Sequence, residues 1–181
     1  MNAHAEVVCK LMSSSSDPVM DKVEITYNDS FPPEERREFT LIRQLIDNAP
    51  RFKAYQLLRN GVYVGFLTCW QFADYIYAEH FAIDETARNG GIGAAAMKQF
   101  MAICTTPIVL EVEMPTEELS KRRIGFYQRL GFVLDDHSYQ QPPYRPGEPW
   151  LEMRLMTYGE IDLDKDIEQV KTTLHQYVYG I

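Results

Sequence analysis

A cationic surplus is the first thing missing from this 181-residue chain: 18 lysines and arginines stand against 26 aspartates and glutamates, a formal net charge of −8. Holding nucleic acid nonspecifically needs a basic footprint, so that class of partner is excluded. Metal-ligand clusters are missing too. The histidines (His4, His80, His137, His175) are scattered, and Cys9, Cys69 and Cys104 show no C-x-x-C spacing. No zinc site can be assembled from local pattern, and three cysteines cannot all pair. No stretch approaches the roughly 20 apolar residues that cross a bilayer. The opening MNAHAEVVCKLMSSSS lacks the basic segment and apolar run of a signal peptide. The expectation is a protein of the reducing cytoplasm, without membrane or nucleic-acid partners.

What is present reads as one globular domain over residues 1–181, with 45% hydrophobic and 24% charged residues and no internal repeat. A short strand is expected over 5–12. Ser16-Asp17-Pro18 reads as a helix start, capping side chain then proline, with a helix over 17–27. A second helix follows over 34–47, with Glu34 and Glu35 at its positive end. Strand-like runs at 52–59 and 62–70 flank Asn60-Gly61, a hairpin turn, and a third run covers 74–83. A helix to residue 104 has the stripe Met97, Phe100, Met101, Cys104. A strand at 107–113, a helix at 117–130, a short strand at 132–134, a proline-rich loop at 142–149 and a strand at 150–158 come next. A terminal helix at 160–179 forms a C-terminal extension. It leaves two alternatives open, capping this domain or packing on a second copy as a homodimer. The order gives an α+β (mixed α/β) fold class around one sheet.

The glycines at 90, 91 and 93 lie between a strand and a helix. There backbone N–H groups can approach an anion at the helix's positive end. Gly91-x-Gly93-x-x-Ala96, with Glu111 twenty residues on, imitates a dinucleotide fingerprint. However, seven residues separate Ile83 from Gly91, and the motif sits mid-chain behind a hairpin rather than in an opening βαβ unit. A nucleotide-binding oxidoreductase therefore ranks behind an acyl-CoA reading.

Arg88-Asn89-Gly90-Gly91-Ile92-Gly93 matches the acetyl-CoA motif Gln/Arg-x-x-Gly-x-Gly/Ala of the GNAT superfamily of N-acetyltransferases. The run 78–97 resembles that superfamily's strand–turn–helix. RRIGFYQRLGF (122–132) is similar to its later helix and strand, with Tyr127 four residues before Gly131. VLEVE (109–113) resembles the fifth strand, whose LEV segment carries the catalytic glutamate in ribosomal-protein alanine acetyltransferases. Ser120 stands where many members place a cofactor-contacting asparagine. The resemblance implies a GNAT-like fold, a central mostly antiparallel sheet flanked by helices, and acetyl-CoA as co-substrate. It also implies that Arg88 and the amides of Asn89, Gly90, Gly91, Ile92, Gly93 and Ala94 hold the pyrophosphate. Phe81, Ala82 and Ile83 would pair with the pantetheine arm, and Ser120 and Arg123 are further cofactor candidates.

Acetyl transfer to an amine needs a base, because a lysine-like amine has a pKa of about 10.4. It also needs a donor for the carbonyl oxygen and an acid for the leaving thiolate. Alternation puts Tyr75, Tyr77, Glu79, Phe81 and Ile83 on one strand face, and a carboxylate in that aromatic row makes Glu79 the leading base. Glu111 is the rival, and ordered water a third option. Ser120, Ile124 and Tyr127 share a helix face (i, i+4, i+7), with Leu119, Phe126 and Leu130 on the core side, so Tyr127 is the expected acid. Cys104 is expected to pack. The acceptor, a small-molecule amine or a peptide or protein amine, is expected against the first two helices and the segment 139–148, with Tyr139, Tyr144 and Arg145 as contacts. Glu79, Glu111, Glu113 and Asp135 would make its pocket negative. An acyl-CoA sensor without catalysis is the alternative.

Overall fold

Asn60 and Gly61 adopt φ of 51° and 77° in the computed structural model, which describes residues 6–181. That left-handed pair is what a two-residue hairpin requires. It joins β2 (Phe52–Arg59) to β3 (Val62–Gln71), with Arg59 opposite Val62. β1 (Val7–Met12) pairs with β2, and β4 (Ile76–Ile83) with β3. Next in the sheet come β5 (Ile108–Glu113), β8 (Leu151–Tyr158) and β6 (Val133–Leu134), while β7 (Tyr139–Gln141) also pairs with β8. Every pairing is antiparallel except β4 with β5. The fold is mixed α+β around one mostly antiparallel sheet.

Helices cover both faces. α1 (Met20–Ser30), α2 (Phe39–Asn48) and α5 (Leu163–Thr173) bury Met20, Tyr27, Ile42 and Ile167 against Phe66, Tyr77 and Leu155. α3 (Ile92–Ile103) and α4 (Glu118–Arg129) bury Met97, Phe100 and Ile124 against Leu67, Ile108 and Met156 on the other. Among the described residues no helix is long and apolar enough to cross a membrane, and no group of ligands could hold a metal ion.

Several boundaries move for tertiary reasons. Ala5, where the first strand was expected to begin, lies outside the described residues. Asp17 closes a local turn, its Oδ1 accepting from the Val19 N–H at 3.0 Å, and α1 starts only at Met20. The expected helix at 34–47 is a 3₁₀ turn at Pro33–Glu35 followed by extended backbone at Arg36. The Arg37 N–H donates to the Tyr27 hydroxyl at 2.8 Å and its guanidinium enters the core, so α2 begins at Phe39. β7 is a strand not expected from the sequence, just ahead of the proline-rich loop. The terminal helix runs 163–173 and then widens into a π-helical turn, Leu174–Tyr179. Its buried Leu163, Ile167, Val170, Leu174 and Val178 join the core that holds Tyr77. At about 1.5–3 kcal/mol for each fully buried side chain, this stripe holds the extension against its own sheet.

Candidate active site

β4 and β5 pair over only three positions, Ile76–Ile108 to Ala78–Leu110. On the opposite edge of β4, Thr68 faces His80 while Cys69 faces Ala78, so Glu79 is the extra residue of a bulge. Bulges bend and twist a strand, and here β4 parts from β5. The expected alternation breaks at this point. Tyr77, Glu79 and His80 contact the α1–α2 side, whereas Phe81 packs with the α3–α4 side. Ala78, Phe81, Ala82, Leu110 and Tyr127 border a cleft of about 420 Å³ in the resulting fork.

At its end the chain makes a tight turn into α3. Asn89, Gly90 and Gly91 all have φ of 77°, and Gly91 is the N-cap. A Cβ at Gly90 or Gly91 would meet nothing within 4 Å, so glycine serves the backbone angle there and leaves the space above the turn open. The first-turn N–H groups of α3, which have no partner within the helix, face a cavity of about 340 Å³ that shares Ile83 and Arg88 with the cleft. Arg88 is braced over it, its Nε donating to the Ile83 carbonyl at 3.2 Å. The arrangement fits a diphosphate followed by an extended arm.

Tyr127 borders the cleft from α4, with Phe126 and Phe132 rings 5.1 and 5.4 Å away. Burial pushes its phenol up to about 12, partly countered by the Arg123 charge, so it keeps its proton at neutral pH. The face assignment on α4 needs correction. Ser120, Ile124 and Tyr127 form the buried face and Leu119 is exposed. The Ser120 hydroxyl donates to the Glu117 carbonyl and accepts from the Glu117 N–H. The hydroxyl is thus engaged in the helix cap, and Ser120 is absent from the lining of the cleft. Arg123 also lines the cleft, ion-paired with Glu113 at 3.2 Å.

Glu79 and Glu111 occupy unlike surroundings. The Glu79 carboxylate accepts from Arg37 (2.7 Å), Tyr144 (2.9 Å) and Trp70 Nε1 (2.8 Å), and its side chain is 0% exposed. Burial works to raise its pKa, but the Arg37 charge, His80 and these hydrogen bonds together hold it below the ordinary carboxylate value. Held ionised by these donors, Glu79 is the weaker proton acceptor of the two carboxylates. Glu111 accepts only from phenols, Tyr139 on Oε1 and Tyr179 on Oε2 at 2.8 Å. Burial pushes it up to about 7, and the tyrosine hydrogen bonds limit the rise. Glu79 and Glu111 both border the cleft and a smaller cavity of about 50 Å³, whose lining includes Phe31 and Glu35 from between α1 and α2.

Glu35, Glu79, Glu111 and Glu113 line that smaller cavity together with Arg123, Glu79 paired with Arg37 and Glu113 with Arg123, while Asp135 binds His137 instead. His80 lies in its wall. Its Nε2 donates to the Glu35 carbonyl at 2.9 Å, so buried Nδ1 presents an unpartnered lone pair. The Gln141 amide nitrogen is likewise buried without a partner. Tyr144 lines the smaller cavity and Tyr139 binds Glu111 behind it, whereas Arg145 staples its loop to Glu38 (2.7 Å) and the Pro33 carbonyl (2.6 Å). Cys104 packs in the core, its thiol pushed up to about 11 by burial. A larger cavity of about 680 Å³ lies elsewhere, between Tyr75 and the start of α5, and none of the expected site residues lines it.

A family model described as "Acetyltransferase (GNAT) family" matches residues 17–132. The chain belongs to that family. Membership assigns the activity class, acetyl transfer, with acetyl-CoA as co-substrate. Among solved structures, a GNAT-family acetyltransferase assignment from Bacteroides thetaiotaomicron is 40% identical, with TM-score 0.93, over 96% of this chain and 99% of that one. Arabidopsis thaliana Naa50, in complex with the bisubstrate analogue CoA-Ac-MVNAL, is 18% identical with TM-score 0.61 over 86% and 99%. The ribosomal-protein-S18-alanine N-acetyltransferase of Escherichia coli is 18% identical with TM-score 0.57 over 84% and 97%. These last two establish a shared fold. A search of curated proteins finds no match.

Four residues grouped around Glu79 and Glu111 escaped the sequence: Arg37, Trp70, His80 and Tyr179. Arg37 stood within an expected helix, and Trp70 at the end of an expected strand. His80 read as facing away from Glu79, because the bulge carries no local signature. Tyr179 was the last residue of the expected terminal helix, off its apolar stripe.

Proposed function

We propose that the protein transfers an acetyl group from acetyl-CoA to a primary amine, of a small molecule or of a peptide or protein, by direct attack in a ternary complex. The observation that carries this reading is the β4–β5 fork, with a protonated phenol on one wall and a carboxyl poised at about 7 on the other. Amides of Asn89–Ala94 and the Arg88 charge suit the diphosphate. The unpaired edge of Phe81, Ala82 and Ile83 suits the pantetheine arm as an added strand, and a backbone N–H there can polarise the thioester carbonyl. Arg123 lines the cleft, where it can answer a phosphate by loosening its pair with Glu113.

The acceptor enters from the smaller cavity, where four glutamates against one lining arginine favour a cation. The unprotonated Nδ1 of His80 can accept from the incoming amine. The bound ammonium first loses one proton to water, which frees the nitrogen lone pair, and Glu111 takes a second as nitrogen bonds to the carbonyl carbon. The carbon–sulfur bond then breaks, and Tyr127 returns a proton to the leaving sulfur. A carboxyl near pH 7 suits the first task, because it is both ionised and basic enough at working pH. Glu79 fixes Arg37 and Tyr144. Free thiols at Cys9, Cys69 and Cys104 suit the reducing cytoplasm.

The test is acetyl-CoA turnover against spermidine, a lysine-containing peptide and a peptide with a free N-terminus, read by CoA release and product mass. Acetylated product from at least one, lost in Glu111→Gln, is expected. Tight acetyl-CoA binding with no turnover of any amine would instead mark an acyl-CoA sensor.

A further inference from the structure

We infer that the π-helical turn after α5 completes the active site, with Tyr179 positioning the catalytic carboxyl of Glu111. The inference rests on the base assignment above and extends it to a segment outside the part of the chain that the family model matches. An α-helix continued past Thr173 would stack Val178 over Leu174 (i, i+4). The wider i→i+5 bonding of a π turn brings Tyr179 onto the same side. Both positions are then used. Val178 is buried in the core beside Leu174, and its carbonyl accepts from Arg37 at 2.6 Å. The Tyr179 hydroxyl donates to Glu111 Oε2 at 2.8 Å, and its ring lies 5.1 Å from that of Tyr144. Gly180, with φ of 77°, closes the turn by donating to the His175 carbonyl.

The turn is therefore fastened to both carboxylates, to Glu111 through Tyr179 and to Glu79 through Arg37. With Tyr139 on Oε1, Tyr179 leaves the Glu111 carboxyl one defined orientation and donates to its ionised form, which favours that form. The other groups facing Glu111 are Tyr77 and Glu79 from β4, Tyr144 from the loop after β7 and Arg123 from α4, with His80 and Glu35 on the far wall. Among them Tyr179 is the one that comes from beyond β8. Its 3.3 Å contact with the Tyr77 hydroxyl links it back to β4.

The experiment is a carboxyl titration followed by ¹³C NMR on protein labelled at glutamate Cδ, with the Glu111 resonance identified by its loss in Glu111→Gln. Tyr179→Phe keeps the ring contacts and removes one donor. Its Glu111 midpoint should rise by roughly one pH unit, the scale of a lost hydrogen bond to a charged group. Turnover of acetyl-CoA with the same three amines should fall about tenfold below that midpoint and stay within about twofold at pH 9. An unchanged midpoint and pH profile in a folded Tyr179→Phe variant would overturn the positioning role while leaving Glu111 as base. Full activity in Glu111→Gln would overturn the base assignment, and this inference with it, whatever the NMR midpoint does.

Discussion

Glu79 and Glu111 are both closed off from bulk water, yet they sit on opposite sides of the ordinary carboxylate range. The difference lies in what donates to them: an arginine, an indole and a phenol to Glu79, phenols alone to Glu111. The two therefore affect stability with opposite signs. Glu79, held low, stabilises the fold above its unfolded pKa, and that contribution is lost as pH falls. Glu111, raised from 4.5 to about 7, contributes stability below pH 4.5 that is lost as pH rises toward 7. Glu111→Gln should therefore gain stability relative to the parent between pH 5 and pH 8. The gain is on the order of a few kcal/mol, because each pH unit between the unfolded and folded midpoints is worth about 1.4 kcal/mol. Urea melts at the two pH values read it, and an identical difference at both would remove Glu111 from the titration. Tyr127 admits a cleaner separation of roles. Tyr127→Phe keeps the contacts with Phe126 and Phe132, so acetyl-CoA affinity by calorimetry should stay within about twofold. Loss of an acid should lower kcat about 100-fold, and parent-like kcat would assign the proton to another donor.

At the scale of elements, the cleft exists because β4 carries one residue too many for its partner. Beyond the bulge, Gly65 lets β3 lie close against β4. A Cβ placed there would lie 2.3 Å from the Ala82 carbonyl oxygen, a backbone atom that can move only if β3 and β4 separate. Gly65→Ala should cost about 1–3 kcal/mol and displace Ala82, whose edge is proposed to take the pantetheine arm. Thermal melts and acetyl-CoA titration should thus deteriorate together. Loss of stability with undiminished affinity would detach that edge from binding. Elements governed by short-range rules were legible in the sequence: the Asn60–Gly61 hairpin, the glycine turn into α3, and α4 with Tyr127. The bulge at Glu79 was not, because it is a slip of pairing against β3 that leaves the residue types of β4 unchanged. The buried face of α4 was misjudged because Ser120 spends its hydroxyl on its own cap and can then be covered, while Leu119 is left outside. α2 starts late because Tyr27 and Glu79, both distant in sequence, claim Arg37.

Across the whole molecule, Arg37 is where the separate parts meet. Its N–H binds Tyr27 of α1, and its guanidinium binds Glu79 of β4 and the Val178 carbonyl of the turn after α5. The same guanidinium lies 4.7 Å from the Tyr144 ring centroid and 5.8 Å from that of Trp70. Removing it would leave the Glu79 charge sealed in the core without its counter-ion, a loss of about 3–5 kcal/mol for a buried pair broken on one side. Much of that loss is the stranded charge, so neutralising the survivor should recover it. Arg37→Met alone should be severely destabilised. Arg37→Met with Glu79→Gln should regain on the order of 2 kcal/mol relative to that single variant, because buried partners are non-additive by about 0.5–3 kcal/mol. The Val178 carbonyl stays unpaired in both, so the turn that carries Tyr179 should loosen equally, and hydrogen exchange at residues 174–179 should be faster than in the parent in each. If the double variant were no more stable than Arg37→Met, Arg37 would act chiefly through its contacts with Val178 and the aromatic rings, and the fork would owe its closure to packing instead of charge.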